Sequence, residues 1–199
     1  MRLTLHTSHL PSQRISIPPP TPRFTSLPAL PPPKSRPSFQ PYHPDLTPAP
    51  SPLRPNCPAG ERLLRWHPFT PGLTTPPHPA LTETDLDCIL TVISASWCDS
   101  TKTTYGAGLL VFHVFCDVCS IPEIDRCPIA QPLLLTFFSS CAGSCAGSTL
   151  ANYSAGLRAW HLLHGHPWLI DQKTLKAMLE GAAHLAPPSS KQPLRPLSP

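Results

Sequence analysis

The chain has 199 residues, of which 31 are proline and eight cysteine, and a formal net charge of +4 at pH 7. No run approaches the ~20 apolar residues of a membrane span, which excludes a membrane partner. No hydrophobic leader precedes the cysteines, so free thiols in a reducing, intracellular compartment are expected.

Residues 1–80 hold 22 of the prolines, including Pro18-Pro19-Pro20, Pro31-Pro32-Pro33 and Pro76-Pro77. Proline has no backbone N–H and restricts its neighbours, so this stretch reads as a disordered arm with polyproline character. It carries eight Lys or Arg against Asp45 and Glu61, whereas residues 81–199 are slightly acidic. Such an arm suits weak attraction to phosphates, or docking of segments such as Pro28-Ala-Leu-Pro31 and Pro41-Tyr-His-Pro44 into Pro-motif-binding domains. The expected organisation is an arm over 1–80, one helical domain over 81–186, and a Pro-rich tail over 187–199.

From Leu81 onward the apolar spacing is helical. Leu86, Ile89, Leu90, Ile93 and Trp97 form one stripe, with Thr82 or Thr84 as cap and Glu83, Asp85 and Asp87 in the first turn. A second helix is predicted from Ser100 as N-cap to about Asp117. Tyr105, Leu109, Phe112 and Cys116 are on one face, and enough further apolar residues make it central. Gly106 and Gly108 near its start imply close packing there. The third predicted helix has Pro128 in its first turn and Leu133, Leu134, Phe137 and Phe138 inward. The fourth is capped by Ser148 or Thr149 and lines up Leu150, Tyr153, Leu157 and Trp160. The fifth runs from Gln172 to about His184 behind an Asp171 cap, with Leu175, Met178, Leu179 and Ala182 inward. The fold class is all-α, a small bundle of four to five short helices.

Cys116-x-x-Cys119 has the spacing of half a zinc site, with Cys127 or His113 as candidates to extend it. The second ligand pair is missing, so neither metal nor cofactor is expected. His161-Leu-Leu-His164 has no glutamate companion for a metalloprotease site.

Trp97, the hydroxyl-rich start Ser100-Thr-Lys-Thr-Thr-Tyr105, Phe112-x-x-Phe-Cys116 and the echo Thr149-Leu-Ala-Asn-Tyr153 with Leu157-Arg-Ala-Trp-His161 form a composite pattern. It resembles the N-terminal helical, SAM-like core-binding domain of tyrosine recombinases and integrases of the mobile-element-derived type, over roughly residues 82–186. In that family this domain clamps one side of a DNA duplex with the starts and exposed faces of its second and fourth helices. The resemblance implies duplex DNA as a weak, backbone-dominated partner and a nuclear location. The positions that match are Ser100, Thr101, Lys102, Thr103 and Thr104, then Ser148, Thr149, Asn152 and Arg158. Hydroxyls and amides at helix starts suit phosphate, Lys102 and Arg158 supply charge, and Asn152 is the candidate base reader. Taken singly, Ser100 and Ser148 read as plain helix caps, and only the whole pattern points to DNA.

Strand cleavage in that family needs an Arg, a His-x-x-Arg and a tyrosine nucleophile in a second domain, which this sequence lacks. No catalytic residue is therefore assigned, and the chain is not expected to be an enzyme. The alternatives are a Pro-rich interaction adaptor and a transposon-derived fragment without function.

Overall fold

The computed structural model describes residues 39–41, 45–71 and 82–188, and every regular element among them is helical. A 3₁₀ turn at Ala59–Glu61 leads into the single-turn helix α1, Arg62–Arg65. Helix α2 spans Glu83–Ser94, α3 Asp99–Val118 and α4 Gln131–Cys141, with a second 3₁₀ turn at Glu123–Asp125. Helix α5 spans Gly147–Leu163 and α6 Gln172–His184. None of the described helices is long and apolar enough to cross a membrane.

Two helix starts follow the predicted chemistry. Thr82 Oγ1 accepts from the Asp85 amide at 3.2 Å, and Asp85 Oδ2 accepts from the Thr82 amide at 2.8 Å, a reciprocal capping box. Asp171 Oδ1 accepts from the Thr174 amide at 2.8 Å and opens α6. Pro128, by contrast, does not open a helix. That helix, α4, begins at Gln131 with Pro132 in its first turn, where a missing N–H costs nothing.

The central element is α3, buried without a break from residue 111 to residue 116. On one side Phe112 and Phe115 meet Phe137 of α4, with ring centroids 5.5 and 5.4 Å apart. On the other, His113 lies edge-on to Trp66 and to Trp160 of α5, at 5.5 and 5.4 Å. Each large apolar side chain fully buried in this way contributes about 1.5–3 kcal/mol. A Cβ on Gly108 would lie 2.9 Å from Tyr153 Cα, and one on Gly156 2.9 Å from Tyr105 Cα. Those two crossings fix α3 and α5 as an antiparallel pair, and they are the close approach that Gly108 signalled.

Helix α2 sits at the rim. Leu90, Ile93 and Trp97 pack on the core as expected, but Ile89 is 48% exposed. A helix touching the body along a narrow line has no place for the full predicted stripe.

The larger correction concerns the arm. Residues 1–38 lie outside the described residues, as do 42–44, 72–81 and 189–199, so the arm and tail expected there are not described. Residues 45–71, however, are part of the folded body. Leu63 and Trp66 are 2% and 3% exposed and belong to the main core. The Trp66 indole donates to the Pro55 carbonyl at 3.0 Å, and the Trp160 indole donates to the Trp66 carbonyl at 2.6 Å. Gly106 of α3 lies directly beneath the Ala59 carbonyl, where any Cβ would collide. The boundary expected at residue 81 is therefore too late. Proline limits regular structure, but an irregular segment can still be anchored by a few large side chains.

A buried charge cluster completes the anchoring. Arg54 and Arg126 are 6% and 5% exposed. Arg126 reaches Asp117 Oδ1 at 2.7 Å and Arg54 reaches it at 3.5 Å, while Arg54 also pairs with Glu123. Asp117 Oδ2 accepts from the Ala49 amide at 2.7 Å. Both guanidiniums lie 3.4 Å from His113 Nδ1, which must accept, so the ring proton belongs on Nε2 among the aromatic rings. Burial, reinforced by the two arginines, holds the His113 pKa well below the usual imidazole range.

Candidate nucleic-acid interface

The start of α3 is built differently from the prediction. Its N-cap is Cys98, not Ser100, and the helix proper begins at Asp99. Ser100 Oγ and Thr101 Oγ1 each lie 3.2 Å from Cys98 Sγ. Those hydroxyl contacts, with the Thr101 amide, bring the Cys98 thiol down to about 7. Thr103 and Thr104 turn back along the helix and donate to the Asp99 and Ser100 carbonyls, both at 2.9 Å. Lys102 Nζ stands 3.5 Å from Asp99 Oδ1. The hydroxyls are thus engaged locally, and an acid sits beside the lysine, a combination less favourable to phosphate than the sequence suggested.

Neither Ser148 nor Thr149 caps α5, because the helix begins at Gly147 behind Ala146. A Cβ on Gly147 would lie 2.9 Å from Ala183 Cα, so the last turns of α6 press against this helix start. Ser148 and Asn152 are nevertheless exposed, as is Arg158, and Thr149 is half-buried.

The antiparallel register sorts these residues. Tyr105 lies opposite Gly156, so the Ser100–Thr104 turn is level with the second half of α5, near Arg158. The starts of the two helices, expected to act together, are at opposite ends of the pair. Ten residues separate Ser148 from Arg158, about 15 Å along the axis. At about 100° per residue, Arg158 points roughly 160° round α5 from Gly156, on its outer side. Ser148, Ala151, Asn152, Ala155 and Arg158 recur at i, i+3, i+4, i+7 and i+10. They form one outward stripe of exposed or half-exposed residues.

One basic residue outside the predicted set belongs to the same end of the helix pair. Arg65 on α1 is exposed and pairs with Glu61 at 3.2 Å, and α1 packs on both α3 and α5. The signal in the sequence was Leu63-Leu-Arg-Trp66, a dense apolar group within the proline-rich stretch.

Cys116 is buried, and that burial pushes its thiol up to about 12. The eight cysteines, all among the described residues, form no disulfide, and no group of three or more His, Cys, Asp or Glu among the described residues is placed to hold a metal ion. His161 is a core residue, 0% exposed: Ile129 N–H donates to its Nε2 at 2.9 Å, and its Nδ1 donates to the Leu157 carbonyl at 2.7 Å. Compared with family models, with curated proteins and with solved structures, the chain matches none of them.

Proposed function

We propose that the helical body is a duplex-DNA-binding module, weak and dominated by backbone contacts, that does not itself cleave DNA. The observation that carries this reading is the outer stripe of α5, where Ser148, Asn152 and Arg158 are exposed with only Ala151 and Ala155 between them. Small side chains there let a phosphate backbone come close, while Arg158 supplies charge and Asn152 a bidentate amide suited to adenine. Lys102, level with Arg158 along the helix pair, is the second phosphate partner. The resemblance to the core-binding domain of tyrosine recombinases supports the same reading, and a nuclear location accompanies it.

Fluorescence anisotropy with a labelled duplex over a salt series tests this. Two phosphate contacts give a slope of log K against log salt of about −2. Arg158→Ala and Lys102→Ala should each reduce the magnitude of that slope by about 1 and weaken binding to every sequence. Asn152→Ala should relax sequence preference and leave the salt slope unchanged. If the folded Lys102/Arg158 double variant binds as the parent does at low salt, the proposed surface is wrong.

A further inference from the structure

A cavity of about 440 Å³ lies between the Leu46–Cys57 segment, α1 with the following Trp66, and Leu110 of α3. Its walls are chemically one-sided. Pro48, Pro50 and Pro55 contribute no backbone N–H, and Leu46, Leu110 and the Trp66 ring are apolar, yet Arg54 and Arg62 both line it and no carboxylate does.

The two arginines differ in what balances them. Arg54 and Arg126 share Asp117 and Glu123, so that cluster sums to zero. Arg62 has no carboxylate partner among the described residues. Its guanidinium lies 5.3 Å from the centre of the Trp66 ring and donates one bond, 3.1 Å long, to the Gly106 carbonyl. Its Nε is buried with no hydrogen-bond partner, and so is the Nε of Arg54. Burial accordingly lowers the Arg62 pKa. A half-buried cation with no carboxylate beside it, at a cavity that also offers Thr47, Ser51 and Asn56, is stabilised when an anion joins it.

We propose that this cavity binds a small organic oxyanion, a carboxylate or phosphate ester on a flat apolar body, with Arg62 as the charge partner and Trp66 as the apolar wall. One unbalanced arginine calls for an anionic head group, and a cavity of about 440 Å³ is within the range of small-ligand sites. Guanidinium suits both head groups because its donors match two oxygens at once. Cys57, partly exposed on the same wall, reports occupancy.

The test is calorimetric titration of the full chain with benzoate, with phenyl phosphate, and with benzamide as the uncharged counterpart. Saturable binding of at least one anion, at least tenfold tighter than benzamide, is expected, and the preferred head group identifies the ligand class. Arg62→Gln should weaken anion binding at least tenfold. As a check that needs no variant, a saturating anion should slow iodoacetamide modification of Cys57, read by mass spectrometry, and leave exposed Cys88 unaffected. The proposal fails if neither anion binds, if benzamide binds as tightly, if a folded Arg62→Gln chain keeps the parent affinity, or if Cys57 reacts at an unchanged rate. Because no duplex is involved, none of these outcomes bears on Lys102, Asn152 or Arg158.

Discussion

Protonation of His161 would place a second N–H against the Ile129 amide, donor facing donor, in a site with no water-exposed surface. Burial brings both His161 and His164 down to about 4, with His164 donating to the Leu63 carbonyl at 3.0 Å. Their values in the unfolded chain are near 6.5. The unfolded chain therefore takes up protons first as the pH falls. Their contribution is complete above about pH 6.5, declines between about 6.5 and about 4, and levels off below that. Over the whole window the shift is worth about 3 kcal/mol for His161. Urea unfolding at a series of pH values should show midpoints falling steadily from pH 6.5 to 4.5, with an NMR titration placing His161 near 4. Equal midpoints at pH 7 and pH 5 would refute this account of the histidines.

At the scale of elements, the informative piece is the irregular stretch from Leu46 to Trp66. Its only regular structure is a 3₁₀ turn running into the single turn of α1, yet it supplies the carbonyl that receives the Trp160 indole, the ring against His113 and the buried Arg54. Removing a buried aromatic side chain of this kind costs about 3–5 kcal/mol. A chain starting at residue 82 loses Leu63, Trp66 and Arg54 together, and with Arg54 goes the second cation on Asp117 and Glu123, leaving Arg126 alone against two carboxylates. Such a chain should show weak, broad urea unfolding and little near-ultraviolet dichroism. A chain starting at residue 39 should unfold as the full-length protein does. A cooperative, native-like melt of the 82–199 fragment would show that the segment is dispensable.

For the molecule as a whole, a single core joins Leu63 and Trp66 to residues of α3, α4, α5 and α6. One shared core implies one cooperative transition. Tryptophan emission, which reports Trp66, Trp97, Trp160 and Trp168, should therefore change at the same urea concentration as far-ultraviolet dichroism, which reports the helices. An earlier fluorescence midpoint would rule out the single transition.

What the amino-acid sequence determined alone is what depends on near neighbours. The 3.6-residue spacing named the inward residues of α3 to α6, including Leu109, Phe112, Leu134, Phe137, Leu157 and Trp160, all at most 1% exposed. Side chains within one turn likewise set the Thr82 and Asp171 caps. Tertiary structure decided the rest. It brought Trp66 into the core beside Trp160, 94 residues away, and turned Arg54 onto Asp117. The antiparallel register likewise moved Ser148 and Asn152 away from the Ser100–Thr104 turn. The reason is physical: proline forbids regular structure locally but says nothing about burial, which depends on contacts from distant parts of the chain. A helix face can be read from its own residues, whereas its neighbour and direction are settled only where Gly108 meets Tyr153 and Gly156 meets Tyr105.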